Sequence, residues 1–257
     1  MLFQKIKILF YYLKKPIFYR HLFFKLFYKF KVIPNNISKE KIEILLIHNY
    51  NIFDTKDFFE KELSLKYYVF SENEKYYYDN AIKIIDKLPI KMGGAANLDL
   101  IYSIIKNYQY KFILETGVAY GWSSLSILTS LYDNNQNKLI SIDMPYPNFL
   151  SSEYVGVIIP EELKHNWILI KKSDRSALPL ILKKNNFDLC HYDSDKSYFG
   201  RMWAYKNIWN NLSNGGVLIS DDISDNMAFL DFAKLVIIKP YIIKFQKKYI
   251  GIIFKKF

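Results

Sequence analysis

Cysteine is nearly absent from this chain of 257 residues, where Cys190 stands alone. An internal disulfide is therefore excluded, and the apolar run around Cys190 marks a buried, inert thiol rather than a nucleophile. Histidine is also scarce: His21, His48, His165 and His191 are too scattered for a catalytic pair, and His191 reads as a strand residue. None of the nine glycines precedes Gly93. No apolar run approaches the roughly 20 residues needed to cross a bilayer. No small-residue cleavage site follows an uninterrupted apolar core, so a signal peptide is not expected and a cytoplasmic location is.

Acidic residues are missing from both ends. Residues 1–31 hold seven Lys and one Arg without an acid, and residues 232–257 hold seven Lys without an acid. The middle, 32–231, then carries 21 bases against 25 acids, so the formal charge of +11 belongs to the termini. A uniformly basic nucleic-acid binder is not built this way, and no nucleic-acid partner is expected. The first 31 residues interleave bases with large aromatic and aliphatic side chains. They read either as an interfacial helix, with Lys at anionic lipid and Phe, Leu and Tyr in the headgroup zone, or as a helix packed on its own domain or a second subunit. Peripheral association with the inner membrane face is the preferred expectation, and the second reading leaves room for a homo-oligomer.

The absence of glycine before Gly93 makes residues 1–90 a mostly helical, basic N-terminal extension and cap, broken at Pro34-Asn35-Asn36. Residues 91–257 form the second unit. There, short apolar runs at 112–114, 139–142, 167–170, 187–190 and 217–220 alternate with helix-like stretches at 97–107, 121–132, 176–185 and 198–212. This alternation indicates βαβ units and a parallel sheet covered on both faces. The last two runs, 241–245 and 249–254, are too close for a helical crossover and imply an antiparallel hairpin. The expected fold is α/β: a Rossmann-like, seven-stranded, mostly parallel sheet with a C-terminal antiparallel hairpin and a helical N-terminal extension.

Five motifs carry candidate chemistry. Glu115-Thr-Gly117-Val-Ala-Tyr-Gly121-Trp-Ser123 follows a strand and opens a helix. Its glycines allow a sharp turn and close approach to a ligand. The G-x-x-x-G spacing is neither the G-x-G-x-x-G of a pyrophosphate cradle nor a Walker loop. A carboxylate at Glu115 suits the cationic amino-acid end of S-adenosylmethionine better than a phosphate. Asp143 ends the next strand, where an acid can hold both ribose hydroxyls or cap a helix. Asp174 follows the third strand, placed to accept from an adenine amino group or to cap the helix after it. Asp193, in Asp193-Ser-Asp195-Lys196, and the pair Asp221-Asp222 end two further strands. If those strands are neighbours, their carboxylates converge, which calls for a neutralising cation. Hard oxygen donors without cysteine suggest Mg²⁺ or a similar ion; a solvated acidic loop is the competing reading.

With these residues assembled, residues 91–257 resemble class I S-adenosylmethionine-dependent O-methyltransferases. Glu115, Gly117, Gly121 and Ser123 match the E-x-G-x-x-x-G-x-S loop of the catechol O-methyltransferase type. The stretch from His191 to Tyr198 is similar to the D-x-D-H-x-Y segment of bacterial sugar and macrolide O-methyltransferases. The resemblance implies that Glu115, Gly117, Asp143 and Asp174 contact the cofactor and that Asp193, Asp221 and Asp222 hold the metal. Lys196 stands where the sugar enzymes usually have His, yet its spacing from Asp193 is that of the catechol-type lysine, implying a catalytic base with a lowered pKa. A sugar or polyol acceptor fits chelation of vicinal hydroxyls, and a lipid-linked saccharide would suit the basic N-terminus. Two rivals stand beside this reading: another Rossmann-like nucleotide-dependent enzyme, and a non-catalytic membrane-surface or partner-binding protein with a degenerate cofactor fold.

Overall fold

The computed structural model describes residues 10–132, 136–144 and 151–256. Eight helices of eight residues or more frame the fold: α1 (Tyr19–Lys29), α2 (Lys39–Asn49), α3 (Lys75–Ile85), α4 (Leu98–Tyr108), α5 (Trp122–Leu131), α6 (Asp174–Leu182), α7 (Tyr198–Asn210) and α8 (Ala228–Leu235). The strands are β1 (Ile52–Phe53), β2 (Phe112–Thr116), β3 (Lys138–Ile142), β4 (Trp167–Ile170), β5 (Phe187–Tyr192), β6 (Leu212–Ser220), β7 (Tyr241–Phe245) and β8 (Lys248–Phe254). They form one sheet in the order β1-β7-β8-β6-β5-β2-β3-β4. β2 to β6 run parallel, and β8 lies antiparallel to both β6 and β7.

Each β2–β6 strand is a short apolar run because both faces of the sheet are covered. Ile113, Leu139, Leu189, Val217 and Ile219 face one apolar layer shared with α4 and α5. Leu114, Ile142, Cys190 and Leu218 face the other, shared with α2, α6, α7 and α8. Cys190 is fully buried there, as its neighbours required. The hairpin of β7 and β8 turns tightly at Gln246, whose φ is +54°. Gly251 is obligatory on β8, because a Cβ there would stand 2.1 Å from the Phe229 ring.

The expected seven strands are present, and an eighth joins them. Ile52 and Phe53 pair in parallel with Ile242 and Ile243 at the edge of the sheet. Just upstream, α2 buries Ile42 and Leu46 completely against the α7–α8 layer. Two residues are too few to show the period-2 alternation that marks a strand.

The site is positioned by the reversal of strand order between β2 and β5. At such a switch point the loops leaving adjacent strands diverge and open a crevice beyond the carboxyl ends. The loops after β2, β3, β4 and β5 meet there.

Candidate active site

The loop after β2 is shaped by its neighbour. Gly117 has φ +84°, and a Cβ on it would lie 2.2 Å from the carbonyl oxygen of Asp193. The two loops are tied together, since the Asp193 amide donates to the Thr116 carbonyl at 2.8 Å. Gly121, with φ +103°, starts α5, and a Cβ there would press on Gly156 at 3.1 Å. Asp143 braces the same loop from the end of β3: its Oδ2 accepts from the amides of Val118 at 2.7 Å and Ala119 at 3.0 Å. Burial raises the Asp143 pKa against those bonds.

A crevice of about 260 Å³ opens in front of these loops, lined by Gly117, Asp143, Met144, Asp174, Asp193 and Ser194 among others. Asp174 lies in the first turn of α6, and its carboxylate accepts from the Ser194 hydroxyl at 2.5 Å. Burial, reinforced by Asp195 and Asp143, pushes its pKa up to about 7. The cap position belongs to Ser173, so Asp174 is free of the capping role that its sequence position allowed.

Three residues expected at the cofactor stand behind the loop instead of lining the crevice. Glu115 is fully buried and accepts from Ser124 and Ser141, each at 2.6 Å. Ser123 is almost fully buried and also supports the Glu115 carboxylate. Desolvation raises the Glu115 pKa in spite of these donors. Glu115 and Gly121 thus fix the shape of the loop, while Gly117, Asp143 and Asp174 face the space in front of it.

The acids after β5 and β6 depart from expectation in a different way. The Lys196 ammonium sits between Asp193 and Asp222, donating to Asp193 Oδ1 and, at 2.9 Å, to Asp222 Oδ2. Lys248 stands 3.5 Å from the other oxygen of Asp222. Asp221 is turned inward, with its Oδ1 3.6 Å from His191 Nε2 beneath the sheet edge. Among the described residues no three carboxylate, imidazole or thiol groups are arranged to hold a metal ion. The carboxylates did come together, as adjacency of β5 and β6 required. The neutralising charge is supplied by lysine, so the donor set of Asp193, Asp221 and Asp222 does not fit Mg²⁺.

The expected lowering of the Lys196 pKa is reversed for the same reason. Burial pulls it down, but Asp193 and Asp222 outweigh that and raise it. A lysine held as a cation by two carboxylates is a poor proton acceptor at neutral pH. Arg201, fully buried, fixes the Asp221-Asp222 turn by donating to the Asp222 carbonyl at 2.9 Å and the Asp221 carbonyl at 3.3 Å.

Several lining residues carried no signal in the sequence. Tyr12, His21 and Lys25, from the N-terminal segment, line the same crevice and roof it. The roof is held by Arg175, whose guanidinium lies over Trp203 at 4.0 Å, Phe24 at 4.5 Å and Tyr28 at 5.1 Å. Tyr28 also stacks on Phe199 at 4.8 Å. Of the two readings of residues 1–31, packing on the chain's own domain is thus realised for one face of α1, while residues 1–9 lie outside the described residues.

Residues 114–223 match the family model described as a methyltransferase domain, which spans the loops of this site from β2 to the end of β6. Solved structures agree on the fold. An O-methyltransferase from Bacillus cereus, in complex with S-adenosylhomocysteine, is 13% identical and covers 70% of this chain and 91% of its own, with a TM-score of 0.57. TomG of Streptomyces achromogenes, an O-methyltransferase of tomaymycin synthesis in complex with S-adenosylmethionine, is 15% identical; it covers 79% of this chain and all (100%) of its own, with a TM-score of 0.55. A methyltransferase from Geobacter sulfurreducens is 11% identical and covers 84% of this chain and 97% of its own, with a TM-score of 0.52. No curated protein matches the sequence. The fold is that of these solved methyltransferases, and the match to a methyltransferase domain lies within residues 114–223.

Proposed function

We propose that this protein transfers the methyl group of S-adenosylmethionine to a hydroxyl oxygen, with a sugar or polyol as acceptor. Residues 91–257 are the catalytic domain in this reading, and residues 1–90 its helical cap. The observation that carries it is the crevice at the strand-order reversal. There, Gly117 admits close approach and two carboxylates, Asp143 and Asp174, face one space within a methyltransferase domain. That donor set suits an adenosine: Asp143 for ribose hydroxyls, Asp174 for the exocyclic amine, and the Met144 side chain for the base.

The bound cofactor supplies an electrophilic methyl on a sulfonium, a good leaving group. An acceptor hydroxyl held in front of Gly117 and Asp193 would face that methyl, with the thioether as leaving group. Its proton would pass to water, since Lys196 is held as a cation. Lys196 contributes by holding Asp193 and Asp222 together, which fixes the loop after β5 at the edge of the crevice. The loops after β2 and β5 contribute by holding acceptor and methyl in line. Divalent-metal assistance is not part of this reading, because Asp193 and Asp222 are paired with Lys196 and Asp221 faces His191.

The test is transfer of radiolabelled methyl from S-adenosylmethionine to a panel of saccharides, polyols and catechols. Labelled ether product from a sugar or polyol supports the reading. Labelling confined to catechols would replace the acceptor class, and S-adenosylmethionine binding without transfer to any hydroxyl would refute O-methylation.

A further inference from the structure

The inner and outer faces of α1 differ sharply. His21, Phe24, Lys25 and Tyr28 turn toward the crevice and the Arg175 cage. Tyr19, Phe23, Leu26, Phe27 and Phe30 recur at helical spacing along the opposite side, and all are exposed, Phe23 at 63% and Phe30 at 86%. A continuous aromatic stripe of this kind has no apolar surface of the described chain against it. Solvent alone is an unfavourable neighbour for so much clustered apolar area.

The surroundings of the stripe select its partner. Lys14, Lys15, Arg20, Lys29 and Lys31 flank it along the sequence, and residues 10–32 contain no acid. Lys31 already lies over the Phe27 ring at 4.8 Å. A second copy meeting this face symmetrically would bring two acid-free basic rims together, which charge repulsion opposes. Residues 1–9 add Lys5 and Lys7, again without an acid, so their charge repels this rim as well. An anionic lipid surface meets both requirements at once: headgroups for the bases and the acyl boundary for the aromatic rings. No described helix is long and apolar enough to cross a membrane, so the contact is one of lying on the surface.

We propose that the outer face of α1 docks this protein onto an anionic phospholipid bilayer. The docking uses Tyr19, Phe23, Leu26, Phe27 and Phe30, and it places the roofed crevice at the lipid surface. It does not depend on the reaction proposed above.

The experiment is co-sedimentation of the full-length chain with phosphatidylglycerol-rich vesicles and with pure phosphatidylcholine vesicles, at low and high salt. The chain is expected to pellet with the anionic vesicles and to be released by salt. The triple variant Phe23→Ser, Phe27→Ser, Phe30→Ser is expected to lose at least about tenfold in vesicle affinity. The variant should melt at the parent's temperature, showing that the fold survives. Folded protein that ignores anionic vesicles, or a variant that binds them as well as the parent, overturns the proposal. So does a parent dimer that the three substitutions convert to a monomer, since it would assign the face to a second copy.

Discussion

The carboxyl ends of β2, β3 and β4 and those of β5 and β6 are built on different principles, although both gather acids. At the first, backbone geometry dominates. Gly117 has no room for a side chain, and Asp143 spends one oxygen on two loop amides. Among the described residues the Asp174 carboxylate is bonded by a single serine hydroxyl, and its pKa is raised. At the second, three acids have a cation or a buried imidazole beside them: Lys196 for Asp193, Lys196 and Lys248 for Asp222, His191 for Asp221. One half presents unpaired acceptor capacity to a ligand; the other is internally neutralised. Carboxylates brought to one sheet edge do not by themselves make a metal site, because a lysine three residues along can fill the same electrostatic need.

The sharpest way to break the first half is Gly117→Ala. The new methyl would collide with the Asp193 carbonyl in a backbone region that disfavours side chains, and the expected cost is about 3 kcal/mol or more. Thermal denaturation should show it, with S-adenosylhomocysteine binding lost even where the variant folds. Next in size is Asp143→Ala, which leaves the Val118 and Ala119 amides without their acceptor. A loss of cofactor affinity of about a hundredfold is expected, corresponding to roughly 2–3 kcal/mol, and Asp143→Asn should recover part of the loop's stability but less of the affinity.

The second half is tested by Lys196→Ala. Removing the ammonium leaves Asp193 and Asp222 facing each other, so the variant should melt lower than the parent. Lys196 holds the Asp222 pKa below its usual value. The stability from this pairing is present above the ordinary carboxylate range and fades as pH falls through the depressed value. The melting difference should therefore be larger at pH 8 than well below pH 4, where Asp222 is protonated in both states. Mg²⁺ should raise the melting temperature of the variant, whose carboxylates are now free, and leave the parent nearly unchanged. A strong Mg²⁺ response of the parent would restore the metal-site reading.

The smallest expected effect on cofactor affinity belongs to Asp174→Asn, whose main readout is pH-dependent stability. With its pKa raised to about 7, Asp174 binds a proton more tightly folded than unfolded. It therefore costs the native state stability progressively as pH rises from about 4 to 7. The amide variant should be the more stable protein at pH 8, with the advantage vanishing toward pH 4. In the parent, S-adenosylhomocysteine affinity should strengthen a few-fold as pH rises through 7, because the carboxylate accepts from an amine where the acid does not.

Much of this was legible in the sequence, and the rest failed for identifiable reasons. The strands from β2 to β8 announced themselves because burial on both faces demands continuous apolar runs. The loop from Glu115 to Gly121 was visible through its glycines, since a Cβ at Gly117 would collide with the Asp193 carbonyl. Glu115 and Ser123 were read as ligand contacts because spacing places them at the two ends of the loop but does not say which way a side chain turns; Glu115 on β2 and Ser123 on α5 both turn inward. Lys196 was placed beside the acids by its position, but its sign of pKa shift depends on distances that spacing does not supply. β1 was hidden by its two-residue length. The roof of Tyr12, His21 and Lys25 was hidden because an aromatic, basic helix carries no mark of which side packs. Its anchor, Arg175, becomes recognisable only when Phe24, Tyr28 and Trp203 surround it.

The most direct test of the account is calorimetric titration of the full-length protein with S-adenosylhomocysteine, beside NAD as the comparison ligand. Micromolar binding of S-adenosylhomocysteine is expected, weakened about a hundredfold by Asp143→Ala, with no heat from NAD. Folded protein that binds NAD, or that binds neither ligand, would contradict it.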